Sequence, residues 1–184
     1  MFSLKPSIKT AQAEFRRISR TKRLVIGAIF ASLAAVFQSA GGFLPGIGYF
    51  ISPLATAPIL FYSMLSLPLG GMAFLLTNLL LLILQPSELM IFPFTTGLLG
   101  LGMGIAFRFF TTRWAVSAVG SLVLTLGISS LLFIIKFPVL GPGIAGSFSL
   151  WTAGGILLFS YVCSWIWMEL GRAMFNRLIK IIMP

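Results

Sequence analysis

The chain has 184 residues, of which 58% are hydrophobic and only 9% charged, with a mean hydropathy of +1.06. A soluble domain needs about 25% charged residues to face water, so this composition excludes a water-soluble globular protein and gives one integral membrane domain. The formal net charge of +10 sits between apolar runs, a pattern of orientation against anionic lipid rather than of nucleic-acid binding.

The first 23 residues carry Lys5, Lys9, Arg16, Arg17, Arg20, Lys22 and Arg23. Ile8, Ala11, Phe15 and Ile18 fall between them at helical spacing, which predicts a short amphipathic helix lying on the membrane surface. The apolar run that follows is as long as a full span and further spans succeed it, so an uncleaved helix is expected rather than a signal peptide.

Residues 24–43 are close to the ~20 that a spanning helix needs. Gly41-Gly42 and Pro45-Gly46 read as its breakers. Gly27, Ala31 and Ala35 recur at i, i+4 and i+8, and Ala28, Ser32 and Ala34 widen the strip. Such a smooth face lets another helix approach closely. An uncharged connection, 41–48, leads to a second run at 49–67, opened by Ser52-Pro53 and interrupted by Pro58. Pro68-Leu69-Gly70-Gly71 divides it from a third run at 72–84. These two runs read as short or kinked helices, or as one re-entrant hairpin.

Gln85-Pro86-Ser87-Glu88 is a polar turn. The fourth span, 89–107, contains a G-x-x-x-G at Gly100 and Gly104. A basic turn at 108–113 precedes the fifth span, 114–135, which ends at Lys136. A Pro- and Gly-rich connection, 137–146, leads to the sixth span, 147–170, and an amphipathic tail holds Arg172, Arg177 and Lys180. The expected fold class is therefore an all-α integral membrane protein. It is a bundle of six transmembrane helices (24–170), with a short N-terminal amphipathic segment (1–23) and a tail (171–184). Six spans put both termini and the 108–113 turn on one side, and these regions hold every Lys and Arg except Lys136. The positive-inside rule then places both termini in the cytoplasm.

The chain has no histidine and a single cysteine, Cys163. That leaves no intrachain disulfide, no Cys-based metal site and no His general base. Glu14, Glu88 and Glu169 lie in different segments, so no metal site, cofactor site or catalytic pair is expected. No G-x-x-x-x-G-K-[ST] occurs, so ATP-driven work would need an ATPase from another chain.

The three connections on the outer side are nearly devoid of charge, yet Glu88 and Lys136 stand there at the ends of apolar runs. Membrane-edge charges are functional candidates because their burial without a partner is costly. Two readings stand side by side. Glu88 favours a helix start and Lys136 snorkels to headgroups; or the pair bounds an outward pocket, Lys136 holding an anionic group and Glu88 a cationic or donor group. Gln38, Gln85 and Asn78 are polar candidates for the same cavity. Tyr49 and Trp151 line it or belong to the interfacial aromatic belt. Hydroxyls such as Thr95, Thr96, Ser130, Ser160 and Ser164 are expected to return to their own backbone. Glu169 is expected to pair with Arg172 at the inner interface.

Length, six spans, internal termini and the A-x-x-x-A of Ala31-Ser32-Leu33-Ala34-Ala35 together resemble the substrate-capture (S) component of energy-coupling factor transporters. The resemblance covers residues from about Lys22 to Arg172, chiefly as architecture. It implies a non-enzymatic protein of the bacterial inner membrane that captures a vitamin or related micronutrient in an outward pocket closed by the 41–48 connection. It also implies docking on a membrane-embedded T component, coupled to two ATPases, through Gly27, Ala31 and Ala35. By the same resemblance, substrate is held near the outer side by helix ends and the connections 41–48, 85–88 and 137–146; taken with the polar and aromatic candidates above, the expected substrate residues are Gln38, Tyr49, Asn78, Gln85, Glu88, Lys136 and Trp151. The missing histidine argues against the nickel and cobalt branch. Two alternatives remain: a non-transporting scaffold resembling the six-span proteins of the rod-shape complex, and an intramembrane lipid-modifying enzyme, for which no paired acid and base share a depth.

Overall fold

The structure is a computed structural model that describes residues 4–44, 46–137 and 150–182. Within them every regular element is helical. Six helices are long and apolar enough to cross a membrane. We label the helices α1 (Leu4–Arg17), α2 (Arg20–Phe43), α3 (Gly48–Leu65), α4 (Leu67–Leu84), α5 (Pro86–Phe109), α6 (Arg113–Ile134) and α7 (Leu150–Ile182).

The second and third apolar runs form two separate helices, each 18 residues long. The chain reverses at Ser66, whose backbone is extended. Pro68 falls in the first turn of α4, where a missing N–H costs nothing. The Pro-Leu-Gly-Gly stretch expected to separate the runs therefore lies inside α4. Gly70 instead marks a contact, because a side chain there would strike Ser63.

Helix α3 is the centre of the bundle. It packs against α1, α2, α4, α5 and α7. Ile59, Leu60, Tyr62 and Met64 are almost wholly enclosed. Lipid is as apolar as leucine, so close packing rather than escape from water drives these contacts. Gly100 of the G-x-x-x-G lies over Thr56 and Ile59, and Gly104 over Ser63, which lets α5 approach α3 closely. By contrast α4 lies at the edge, with Met72, Leu75, Leu79, Leu82 and Ile83 exposed.

Helix α5 is not continuous from 89, as its sequence suggested. A short helix, Pro86–Leu89, gives way to a 3-10 turn, Phe92–Phe94, holding Pro93; the long part runs Thr96–Phe109. Helix α6 ends in a π-helical turn, Ser130–Ile134. Lys136 closes it at φ 57°, and the Phe137 amide donates back to the Leu131 carbonyl at 2.9 Å. The sixth span and the tail form one helix of 33 residues. The connection expected at 137–146 lies outside the described residues beyond Phe137.

The amphipathic α1 lies on the bundle, not apart from it. Ile8 and Phe15 are buried, Phe15 meets Tyr62 edge-on at 6.0 Å, and Gln12 Nε2 donates to the Met64 carbonyl at 2.7 Å. The Tyr62 hydroxyl donates to the Arg23 carbonyl at 2.6 Å. Helix α1 thus caps the ends of α2 and α3 that lie near the N-terminus. On a neighbouring helix, Glu169 pairs with Arg113 at 3.0 Å rather than with Arg172, tying α6 to α7 across the bundle.

Candidate functional site

Helix α2 turns Gly27, Ala31, Ala34 and Ala35 inward, whereas Ala28 and Ser32, expected to widen the same strip, are exposed. Ala31, Ala34 and Ala35 are fully buried, and Gly27 backs onto the Tyr62 ring. The Thr77 hydroxyl of α4 reaches the Ala31 carbonyl at 3.3 Å. The strip Gly27, Ala31 and Ala35 therefore faces sister helices α3 and α4. Val25, Ile29 and Val36, on the opposite side, are exposed.

At the other end of α2 the glycines do different work from the one their sequence suggests. Gly41 and Gly42 do not stop the helix, which runs to Phe43. A Cβ on Gly41 would lie 2.5 Å from Ser52 Oγ and 2.9 Å from Glu88 Oε1, and one on Gly42 would strike the Gln85 amide. The paired glycines thus make a flat seat on which the 85–88 turn and the start of α3 sit.

A buried polar cluster forms on that seat. Gln38 is 1% exposed and Glu88 6%. Gln38 Nε2 donates to Glu88 Oε2 at 2.7 Å. The Thr96 hydroxyl donates to Gln38 Oε1 at 2.6 Å. The Ser52 hydroxyl donates to the Gln38 main-chain carbonyl at 3.1 Å. Four pieces of chain meet here: the end of α2, the start of α3, the α4–α5 turn and the start of the long part of α5. All lie at the end of the bundle away from α1.

The cluster is satisfied on the amide side and incomplete on the acid side. A carboxylate accepts about four hydrogen bonds, but the side chain of Glu88 has one donor, the neutral Gln38 amide, and among the described residues no Lys or Arg pairs with it. The helix that Glu88 opens has only four residues, too few for a helix dipole to stabilise its charge. Burying an unpaired charge in an apolar bundle is costly. Chemically, this arrangement can hold one positive charge or a strong hydrogen-bond donor. One lone carboxylate cannot run paired acid–base chemistry, and among the described residues no three His, Cys, Asp or Glu side chains gather as metal ligands.

The remaining candidates from the sequence lie apart from this cluster or at its edge. Gln85 rests on Gly42 and donates to Ser87 Oγ at 3.1 Å. Asn78 turns back on its own helix, with Nδ2 donating to the Phe74 carbonyl at 2.8 Å. Tyr49 is 70% exposed, and Lys136 is also exposed and forms no ion pair with Glu88. Trp151 is exposed and lines an apolar groove of about 670 Å³ with Gly154, Gly155 and Leu158. The structure thus brings Gln38 and Glu88 together, sets Gln85 beside them, and leaves Tyr49, Asn78, Lys136 and Trp151 elsewhere.

Sequence reasoning underrated Thr96 and Ser52. Thr95 and Ser130 do return to their own backbone, at the Ile91 and Leu126 carbonyls. Thr96 does not, because the break after the Phe92–Phe94 turn aims its side chain across to α2. A second set of buried hydroxyls, Ser117, Ser160 and Ser164, lies on α6 and α7, where Ser164 packs on Gly120. It contains no charged group. Compared with protein-family models, curated proteins and solved structures, the chain matches none.

Proposed function

We propose that the chain is a membrane-embedded solute-capture subunit, similar to the S components of energy-coupling factor importers, which hands a small organic micronutrient to an ATP-driven module made of other chains. One observation carries this reading: a buried carboxylate, Glu88, is held by a neutral amide where four chain segments meet at one end of a six-helix membrane bundle. Scaffolds need packing faces but no incompletely paired buried charge, whereas binding sites hold such groups ready for a ligand.

The distribution of Lys and Arg supports placing the termini in the cytoplasm and the Glu88 cluster toward the outside of a bacterial inner membrane. Capture then involves the helix ends around Gly41–Gly42 and the 85–88 turn, and release follows when the energising module rearranges these ends. The chain has no phosphate-binding loop of its own, so the ATPases and the membrane subunit joining them are separate partners. Since Gly27, Ala31 and Ala35 are occupied by sister helices, docking on that subunit falls to an outer face such as that of Val25, Ile29 and Val36.

The test is a thermal-shift screen of the purified chain against vitamins and their precursors. A ligand that binds the folded state alone raises the melting temperature by mass action. The reading expects one chemical class to stabilise the chain and Glu88→Gln to abolish the response. A screen in which no solute stabilises it, with uptake by cells unaffected by deletion of the chain, favours the scaffold instead.

A further inference from the structure

We propose that Glu88 and Gln38 form a monocation site: the pair takes up a single positive charge, as an alkali cation or as the ammonium group of a captured solute, through a half-turn of the Gln38 amide. This deepens the solute-capture reading and rests on the same cluster, but it is tested without any vitamin.

The two ends of the Gln38 amide face different partners. In the structure its NH₂ faces Glu88 Oε2 at 2.7 Å and its oxygen faces the Thr96 hydroxyl at 2.6 Å. A hydroxyl can accept as readily as it donates. The Thr96 contact therefore survives a half-turn of the amide, with Nε2 now donating to Thr96 Oγ1. The Glu88 contact does not survive alone, because Gln38 Oε1 would then face a carboxylate oxygen, acceptor against acceptor. A positive charge between them converts that repulsion into coordination. The amide orientation is thus conditional on the charge at Glu88, and the neutral NH₂ stands where a cation would bind.

The donor set is made of hard oxygens. Glu88 supplies two, and after rotation Gln38 supplies Oε1. Ser52 Oγ and Glu88 Oε1 both border the place where a Gly41 side chain would be. Ser52 uses its proton on the Gln38 carbonyl, which leaves its lone pairs available. A single carboxylate balances one positive charge, and no second Asp or Glu lies nearby, since the other acidic residues, Glu14 and Glu169, pair with Arg17 and Arg113. The charge count therefore selects a monovalent occupant over Ca²⁺ or Mg²⁺, whose sites need more carboxylates or phosphates.

The site also connects binding to movement. Separating Gln38 from Glu88 to admit a cation loosens α2 from the 85–88 turn, while Thr96 keeps its hold on Gln38. Occupancy and the fit between these two segments are then linked.

The experiment measures thermal unfolding of the full chain in detergent, in NaCl, methylammonium chloride and choline chloride at equal concentration. Choline, whose nitrogen has no N–H and is too bulky for the cluster, is the reference. The proposal expects a rise of roughly 3–5 °C over choline at about ten times the dissociation constant, lost in Glu88→Gln and in Gln38→Met and kept in Ser87→Ala. Stabilisation by sodium identifies an alkali cation; stabilisation by methylammonium alone identifies the ammonium of a solute. Either supports the site. Equal melting temperatures in all three salts, or a sodium or methylammonium response that persists in Glu88→Gln, overturn it. Glu88→Gln keeps an acceptor for the Gln38 amide, so the variant retains the fold contact. A vitamin that stabilises the chain while neither cation does leaves the capture reading standing and removes this one.

Discussion

Replacing Gln38 by leucine removes the one hydrogen-bond donor that the side chain of Glu88 has among the described residues, and the acceptor of the Thr96 hydroxyl, in one step. The orphaned carboxylate stays in a nearly closed environment, since Glu88 is 6% exposed, and Thr96 is half-buried. The hydrogen bond lost by the buried carboxylate is worth about 1.5–3 kcal/mol and the one lost by the half-buried hydroxyl about 0.5–1.5 kcal/mol. Leucine returns part of this by packing, so Gln38→Leu is expected to lose about 2–3 kcal/mol. Glu88→Gln keeps an oxygen for the Gln38 amide and should cost less than about 1 kcal/mol. The double variant Gln38→Leu with Glu88→Leu removes both polar partners and should recover about 1–2 kcal/mol relative to Gln38→Leu alone. Equilibrium unfolding of the purified chain in mixed micelles, titrated with denaturing detergent, reads all three. If Gln38→Leu costs less than about 0.5 kcal/mol, or if the double variant is no more stable than the single, the buried cluster does not exist as described.

Three further outcomes follow from the packing. Ala31→Leu places three more carbons against α3 and α4 where the exposure is 0%; in the same assay it should destabilise by about 1–3 kcal/mol, whereas Val36→Leu on the exposed face should be within about 0.5 kcal/mol. Asn78→Leu should be nearly neutral, within about 0.5 kcal/mol, because the amide it removes serves only its own helix. Phe15→Ala empties a buried contact with Tyr62 and should cost about 3 kcal/mol, with faster proteolysis near Arg16 and Arg17 as α1 separates from the bundle.

The spans were legible in the sequence because apolar length is a one-dimensional property. A break between the second and third runs was legible too, but its exact place was not: Pro68 and Gly70 carry the same signal whether they end a helix or open one, and only the position of the turn, at Ser66, decides. The glycines of α2 show the same ambiguity. Gly41 and Gly42 look like breakers along the chain, but their value is lateral, since they leave room for Ser52, Gln85 and Glu88. The inward side of Gly27, Ala31 and Ala35 was equally hidden, because a smooth face fits a sister helix as well as a foreign one.

For the site, Glu88 and Gln38 stood out as polar groups at apolar boundaries, and the structure joins them. Lys136 stood out for the same reason, yet its position at the end of α6 leaves it exposed and without an ion pair to Glu88. Thr96 carried no special signal, because its role depends on the Pro93 turn that redirects the chain just before it. Pairing of Glu169 with Arg113 rather than Arg172 likewise depends on how α6 and α7 lie together.

The most direct measurement is mass spectrometry of small molecules extracted from the chain purified from cells, run beside Glu88→Gln purified in the same way. A solute-capture subunit is expected to carry a near-stoichiometric organic molecule with a basic nitrogen, much reduced in the Glu88→Gln variant. Equal amounts of the same molecule in both proteins, or no enriched molecule in either despite retained fold, contradict the assignment of Glu88 to a capture site.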